Sequence, residues 1–136
     1  MLIRPAQEGR GMRRTVLLSS SVALVMLLAA GVALAATVMG TADDEELVGT
    51  RYADTISARG GDDSARGLRG ADEISGGNGE DVLRGGGGDD LLRSEDIFSQ
   101  SGAFRDVVDC GPGDDRARVD FRDRVVDCED VVTATP

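Results

Sequence analysis

A nine-residue period constrains this chain more than any other feature. From Gly49 the sequence divides into consecutive nonapeptides: GTRYADTIS (49–57), ARGGDDSAR (58–66), GLRGADEIS (67–75), GGNGEDVLR (76–84) and GGGGDDLLR (85–93). The sixth position is aspartate in every one: Asp54, Asp63, Asp72, Asp81 and Asp90. The eighth is apolar (Ile56, Ala65, Ile74, Leu83, Leu92), and the fourth is Gly61, Gly70, Gly79 and Gly88, failing only at Tyr52. Acids make up about a quarter of the residues beyond 35, so five in frame have a chance probability of roughly one in a thousand. A Gly/Asp-rich linker would share the composition but has no reason to keep phase.

Composition removes several function classes. The chain has 136 residues, enough for one small domain, with 25 acidic residues against 15 arginines and a net charge of −10. Histidine is absent, which excludes Ser-His-Asp and Cys-His triads and imidazole metal sites. An acidic chain with 3% aromatics lacks the basic face and stacking rings that nucleic acid requires. Large apolar side chains are too few for a thick core, so folding needs help from metal, disulfide or repetition. The doublets Asp62-Asp63, Glu80-Asp81 and Asp89-Asp90 are neighbours in sequence, not carboxylates facing across a glycosidase cleft. Gly85 to Gly88 is followed by acids and lacks the lysine of a phosphate-binding loop. No catalytic set emerges, and the expectation is a protein that is not an enzyme.

The first 35 residues read differently from the rest. Arg4, Arg10, Arg13 and Arg14 precede an uncharged run from Thr15 to Ala42, whose apolar heart spans Val22 to Ala35 and ends in Ala33-Leu34-Ala35. Charge, apolar stretch and A-x-A in that order predict a secretory signal peptide over 1–35, cut before Ala36. Met12-Arg13-Arg14 alone would make a normal start, and the arginine pair matches a twin-arginine signal only in part. The alternative is an uncleaved anchor, since the run is long enough to span a bilayer. A cleaved chain would have no stable membrane span. Either way the remainder is expected outside the cell, with 24 acids, 11 arginines and hence a net charge of −13.

Gly76-Gly77-Asn78-Gly79-Glu80-Asp81-Val82-Leu83-Arg84 and the nonapeptide Gly85 to Arg93 match the pattern G-G-x-G-x-D-x-U-x in full. On these residues, 49–93 resemble the hemolysin-type, or RTX, calcium-binding repeat family, and the rest of the exported part is similar to its small secreted actinobacterial members. The N-terminal signal departs from the C-terminal export signal of many RTX proteins. The resemblance implies an all-β fold, a parallel β-roll (a right-handed β-solenoid). In it six residues make a turn, three make a short strand, and two nonapeptides complete a coil. Glycines permit the positive φ angles of such turns, and position eight points inward while seven and nine point out. Arg66, Arg84 and Arg93, at position nine, then form a solvated face.

The same resemblance implies Ca2+ as the cofactor, held by carboxylates and backbone carbonyls among six to eight oxygens. Residues one coil apart stack at about 4.8 Å. One edge therefore stacks the turns of Asp54, Asp72 and Asp90, and the other those of Asp63 and Asp81, giving about three sites. Gly67, Gly70, Gly76, Gly79, Gly85 and Gly88 are the candidate carbonyl donors. Asp62 and Asp89 fall out of phase and are expected to be dispensable. The stretch 36–48 reads as a degenerate leading repeat with Glu45 in the aspartate position, and the turn at 49–54, lacking the fourth-position glycine, as a weaker site.

After Arg93 seven residues, 94–100, read as a loop, and phase returns at Ser101 with Asp106 and Val108 in positions six and eight. Asp115 occupies a sixth position too, but no acid-bearing turn 18 residues away completes a site around it. Arg105-Asp106-Val107-Val108-Asp109-Cys110 recurs as Asp123-Arg124-Val125-Val126-Asp127-Cys128. Stacked in register, Cys110 and Cys128 would form a disulfide, Arg105 would face Asp123, and Asp106 would face Arg124. The segment 101–136 then reads as a metal-independent cap. The competing reading is an acidic tail with an incidental disulfide. Together these features predict a secreted, non-enzymatic calcium-binding protein. The alternative is a cell-envelope adhesion or interaction protein that uses the roll as a calcium-dependent spacer.

Overall fold

The computed structural model describes residues 34–96 and 104–134. The chain is all-β, with eleven strands among the described residues: β1 (Thr37–Met39), β2 (Glu46–Val48), β3 (Thr55–Gly60), β4 (Ser64–Arg69), β5 (Glu73–Asn78), β6 (Val82–Gly87), β7 (Leu91–Arg93), β8 (Val107–Asp109), β9 (Arg116–Val119), β10 (Arg124–Val126) and β11 (Asp130–Thr133). Successive strands alternate between two parallel sheets, ordered β1-β3-β5-β7-β9-β11 and β10-β8-β6-β4-β2. One strand per sheet per coil makes a β-solenoid of about five turns, so the expected fold class is the observed one. Among the described residues there is no helix, and none long and apolar enough to cross a membrane.

Register follows the period. Thr55 pairs with Glu73, Ser64 with Val82 and Glu73 with Leu91, each one coil of two nonapeptides apart. Across the insertion Val82 pairs with Val107 and Leu91 with Arg116, so phase resumes with the register lengthened by the insertion, while 97–100 of the loop expected over 94–100 lie outside the described residues. The strands are longer than expected. β3 to β6 run six residues each and take in the second and third positions of the next repeat. Those positions pair as well, as Arg59 with Gly77 and Leu68 with Gly86, because the turn tightens only at the fourth residue.

Alternation along each strand turns positions six, eight and one inward. The core is accordingly a narrow column: Val38, Ile56, Ile74, Leu92 and Ala117 beneath one sheet, Leu47, Ala65, Leu83 and Val108 beneath the other. Ala58, Cys110 and Val119 fill first positions. Outward residues pair across the surface, Arg66 with Glu46 at 3.3 Å and Arg93 with Glu73. Positive φ is not confined to glycine. Arg59 (φ 80°) and Leu68 (φ 86°) hold the second position of their repeats, where Gly77 and Gly86 stand in the next coil.

Cys110 and Cys128 are disulfide-bonded with their Cα atoms 5.1 Å apart. The charge pairing expected beside them is overturned. β8 and β10 align Val107 with Arg124 and Asp109 with Val126, one residue short of the recurrence. Asp127, at φ 49°, takes up the difference before Cys128. Asp106 therefore meets Asp123, not Arg124: its amide donates to Asp123 Oδ1 at 3.1 Å. Among the described residues no ion pair joins Arg105 to Asp123 or Asp106 to Arg124.

Candidate metal centre

Sixth-position side chains point into the roll at its two edges, where each coil reverses. Asp54, Asp63, Asp72, Asp81 and Asp90 are all buried. Each lends Oδ1 to the backbone N–H of the sixth-position residue one coil earlier. On one edge Ala36 donates to Asp54, Asp54 to Asp72, and Asp72 to Asp90, each at 2.8 Å. On the other, Glu45 donates to Asp63 at 2.8 Å and Asp63 to Asp81 at 2.9 Å. The edges group the aspartates as the period predicted.

Both ladders continue past the five clean repeats. Asp81 donates to Asp106 and Asp90 to Asp115, each at 2.7 Å across a separation of 25 residues. Asp115 in turn donates to Glu129 Oε2 at 2.9 Å. Asp115 thus has an acid-bearing neighbour on each side, contrary to the expectation that none completes its surroundings. The insertion and a shortened last coil displace those neighbours from the spacing of 18. Adding the seven inserted residues to the period finds Asp90, whereas nothing in the sequence marks Glu129. Fifth-position acids form a lesser ladder on the exposed rim. Asp62 donates to Asp44 at 2.8 Å, Glu80 to Asp62 at 2.9 Å, and Asp114 to Asp89 at 3.1 Å. Asp62 therefore stacks with Asp44 and Glu80 on one edge, and Asp89 with Asp114 on the other, despite falling outside the sixth-position frame.

With Oδ1 engaged, the second oxygen is left over. Oδ2 of Asp63, Asp72, Asp81, Asp90, Asp106 and Asp115 is buried without a hydrogen-bond partner. Asp54 differs, because the Thr50 hydroxyl donates to it at 3.0 Å. A buried unpaired carboxylate oxygen is expensive, and six in two rows demand a cation or a proton. Burial pushes the carboxyls of Asp81 and Asp90 up to about 6 and that of Asp106 up to about 8. Amide donation pulls each of them down, and neighbouring carboxylates add to the rise. Asp63, Asp72 and Asp115 are also raised, chiefly by burial.

The glycines hold the backbone against these oxygens. A Cβ on Gly67, Gly76 or Gly85 would stand 2.2–2.4 Å from Oδ2 of Asp72, Asp81 or Asp90, so any side chain there would fill the space beside the free oxygen. At the fourth position, a Cβ on Gly79 or Gly88 would meet the carbonyl oxygen of Gly61 or Gly70 at 2.1 Å. Gly70 brings the same close approach to Tyr52. The first- and fourth-position candidates thus line the turns that carry the orphaned oxygens. Among the described residues no group of three acidic or cysteine side chains is gathered to hold an ion alone. Calcium's preference for mixed carboxylate and carbonyl ligation fits that donor set.

No curated protein and no solved structure gives a significant match to this chain. A family model does, over residues 39–72 and 60–92: the RTX calcium-binding nonapeptide repeat (4 copies). The matched span begins at the end of β1 and closes one residue before β7 ends, within the part of the roll where every coil keeps the 18-residue register. The stretch from 39 to 92 is thus similar to RTX calcium-binding nonapeptide repeats.

Proposed function

We propose that the chain is an exported, non-enzymatic protein whose RTX repeats bind calcium structurally between stacked turns. The observation that carries this reading is the double row of buried carboxylate oxygens without partners. Asp63 with Asp81 on one edge, and Asp72 with Asp54 and Asp90 on the other, supply the charge. Carbonyls of Gly67, Gly70, Gly76, Gly79, Gly85 and Gly88 complete the shells, giving about three sites within the clean repeats. Bound calcium neutralises the turns and cross-links one coil to the next. The Asp54 turn is the weakest, since Thr50 occupies the oxygen the others leave free.

Export is supported by the charge, apolar run and A-x-A order of the first 35 residues, of which 1–33 lie outside the described residues. The Cys110–Cys128 disulfide fits an oxidising compartment. Extracellular calcium modules typically bind at about 10⁻⁴ to 10⁻³ M, so folding would follow release from the cell. Circular dichroism of the chain from Ala36 tests this. Little β structure is expected in chelator and a cooperative gain with millimolar calcium, while a spectrum indifferent to chelator would overturn the reading.

A further inference from the structure

Ala36 is held to the roll on both sides of its backbone. Its N–H donates to Asp54 Oδ1 at 2.8 Å, its carbonyl accepts from the Thr55 amide at 2.8 Å, and its side chain packs against the core. Leu34 and Ala35, just before it, are exposed. The change from exposed to held chain thus coincides with the Ala35–Ala36 bond, where the A-x-A pattern independently puts the cut. The carboxylate that meets Ala36 is also unlike the others in its ladder. Asp54 is 3% exposed, yet both its oxygens have donors: Ala36 on Oδ1, and the Thr50 amide and hydroxyl on Oδ2. Among the described residues no ion pair involves it. Its hydrogen bonds are complete while its charge is unanswered. A cation delivered through a donor already in place is what such a carboxylate lacks.

We propose that removal of the leader turns the Ala36 amide into an α-ammonium that pairs with Asp54 and closes the first rung of its ladder. Hydrolysis of the Ala35–Ala36 bond consumes one water. The water's oxygen joins Ala35, which leaves as a carboxylate, and its two protons end on the Ala36 nitrogen as an ammonium. That nitrogen has no distance to travel, since it already lies 2.8 Å from Asp54 Oδ1. Before the cut the same position offers only a neutral N–H, and charge-assisted hydrogen bonds are roughly twice as strong as neutral ones. Maturation therefore strengthens the roll at its open end, where no earlier carboxylate or coil supports it. The new terminus supplies there the positive charge that calcium supplies at the turns further along.

The inference rests on the export reading above, with its cut before Ala36, and can be tested apart from the calcium reading. The full chain is produced in an exporting host and the N-terminus of the released protein is sequenced. Ala36 is expected, and any other first residue would overturn the inference. The sequence contains no lysine, so the α-amine is the single primary amine of the released chain. One portion is N-acetylated, which removes the charge but leaves one N–H, and another is reductively dimethylated, which keeps the charge. In saturating calcium the acetylated form is expected to have a folded-to-unfolded ratio about fivefold lower than the dimethylated form. Asp54→Asn is expected to abolish that difference. Equal stability of the two forms, or a difference that survives Asp54→Asn, would overturn the pair and leave calcium binding untouched. A difference between the two forms in a protein whose dichroism ignores calcium would support the pair and overturn the calcium reading alone. Should Asp54→Asn fail to fold, the wild-type amine decides. Slower acetylation in the folded protein than in denaturant supports the pairing, and equal rates remove it.

Discussion

At the level of single residues, each sixth-position aspartate divides its two oxygens between two tasks. Oδ1 fastens the coil before it and Oδ2 is left for an ion, so asparagine and alanine separate the tasks. Asp72→Asn keeps an acceptor for the Asp54 amide but loses charge, and is expected to lower calcium affinity at least tenfold while the calcium-saturated fold survives. Asp72→Ala leaves that buried amide without its acceptor, at a further cost of about 1–3 kcal/mol, measurable as an added loss of thermal stability in saturating calcium. The second position offers the opposite opportunity. Leu68 is held at φ 86° with its side chain exposed, a conformation costing an L-residue about 1–2 kcal/mol, so Leu68→Gly is expected to stabilise the roll by up to about 1 kcal/mol. A melting temperature unchanged or lowered by Leu68→Gly would contradict that backbone assignment.

Among the strands, the inward column behaves as a set of small contacts shared by neighbours. Ile74 and Leu83 are fully buried, and truncating either to alanine is expected to cost about 2–5 kcal/mol, read from calcium-saturated melting curves. The disulfide closes an 18-residue separation and contributes about 3 kcal/mol by chain entropy, so a reductant should lower the melting temperature without abolishing the repeats' calcium response. Because β8 and β10 are offset by one residue, Asp106→Arg and Arg124→Asp should show no mutual rescue in a double-mutant cycle. Coupling is instead expected between Asp106→Arg and Asp123, whose carboxylate holds the Asp106 amide.

That offset marks where the sequence stops being legible. Phase, inward positions, edge assignment and the return of register after the insertion all follow from a period that backbone pairing enforces. The extra residue at Asp127 does not, because a bulge changes spacing while leaving the Val-Val-Asp-Cys letters alike. Nor do the six-residue strands, since glycines at second and third positions look like turn residues although they pair in the ladder. Glu129 belongs to no period. Its place is set by how the chain ends the roll.

For the whole molecule, protons and calcium compete for the same oxygens, with opposite consequences for pH. A carboxyl whose folded pKa exceeds the ordinary value near 3.9 binds its proton more tightly when folded. The associated stability is complete below about pH 4, and it fades as pH rises through about 6 for Asp81 and Asp90 and about 8 for Asp106. Without calcium, where little β structure is expected near neutral pH, the chain should therefore hold more of it, and to higher temperature, at pH 5 than at pH 8. In millimolar calcium the order should reverse, since protonation displaces the ion. Melting curves at both pH values, with chelator and with calcium, check the crossing.

The ladders also have a polarity, and polarity sets a timetable. Whereas the exposed fifth-position amides reach back to the coil before, on the buried ladders every sixth-position amide from Ala36 to Asp90 is clasped by a carboxylate of the following coil. A ribosome makes the held residue before the residue that holds it. The first coils thus wait for the last, and the disulfide-tied end is the natural seed from which order spreads backward toward Ala36. A chain truncated after Arg93 should consequently need more calcium to fold than the intact one, although it keeps all five clean repeats.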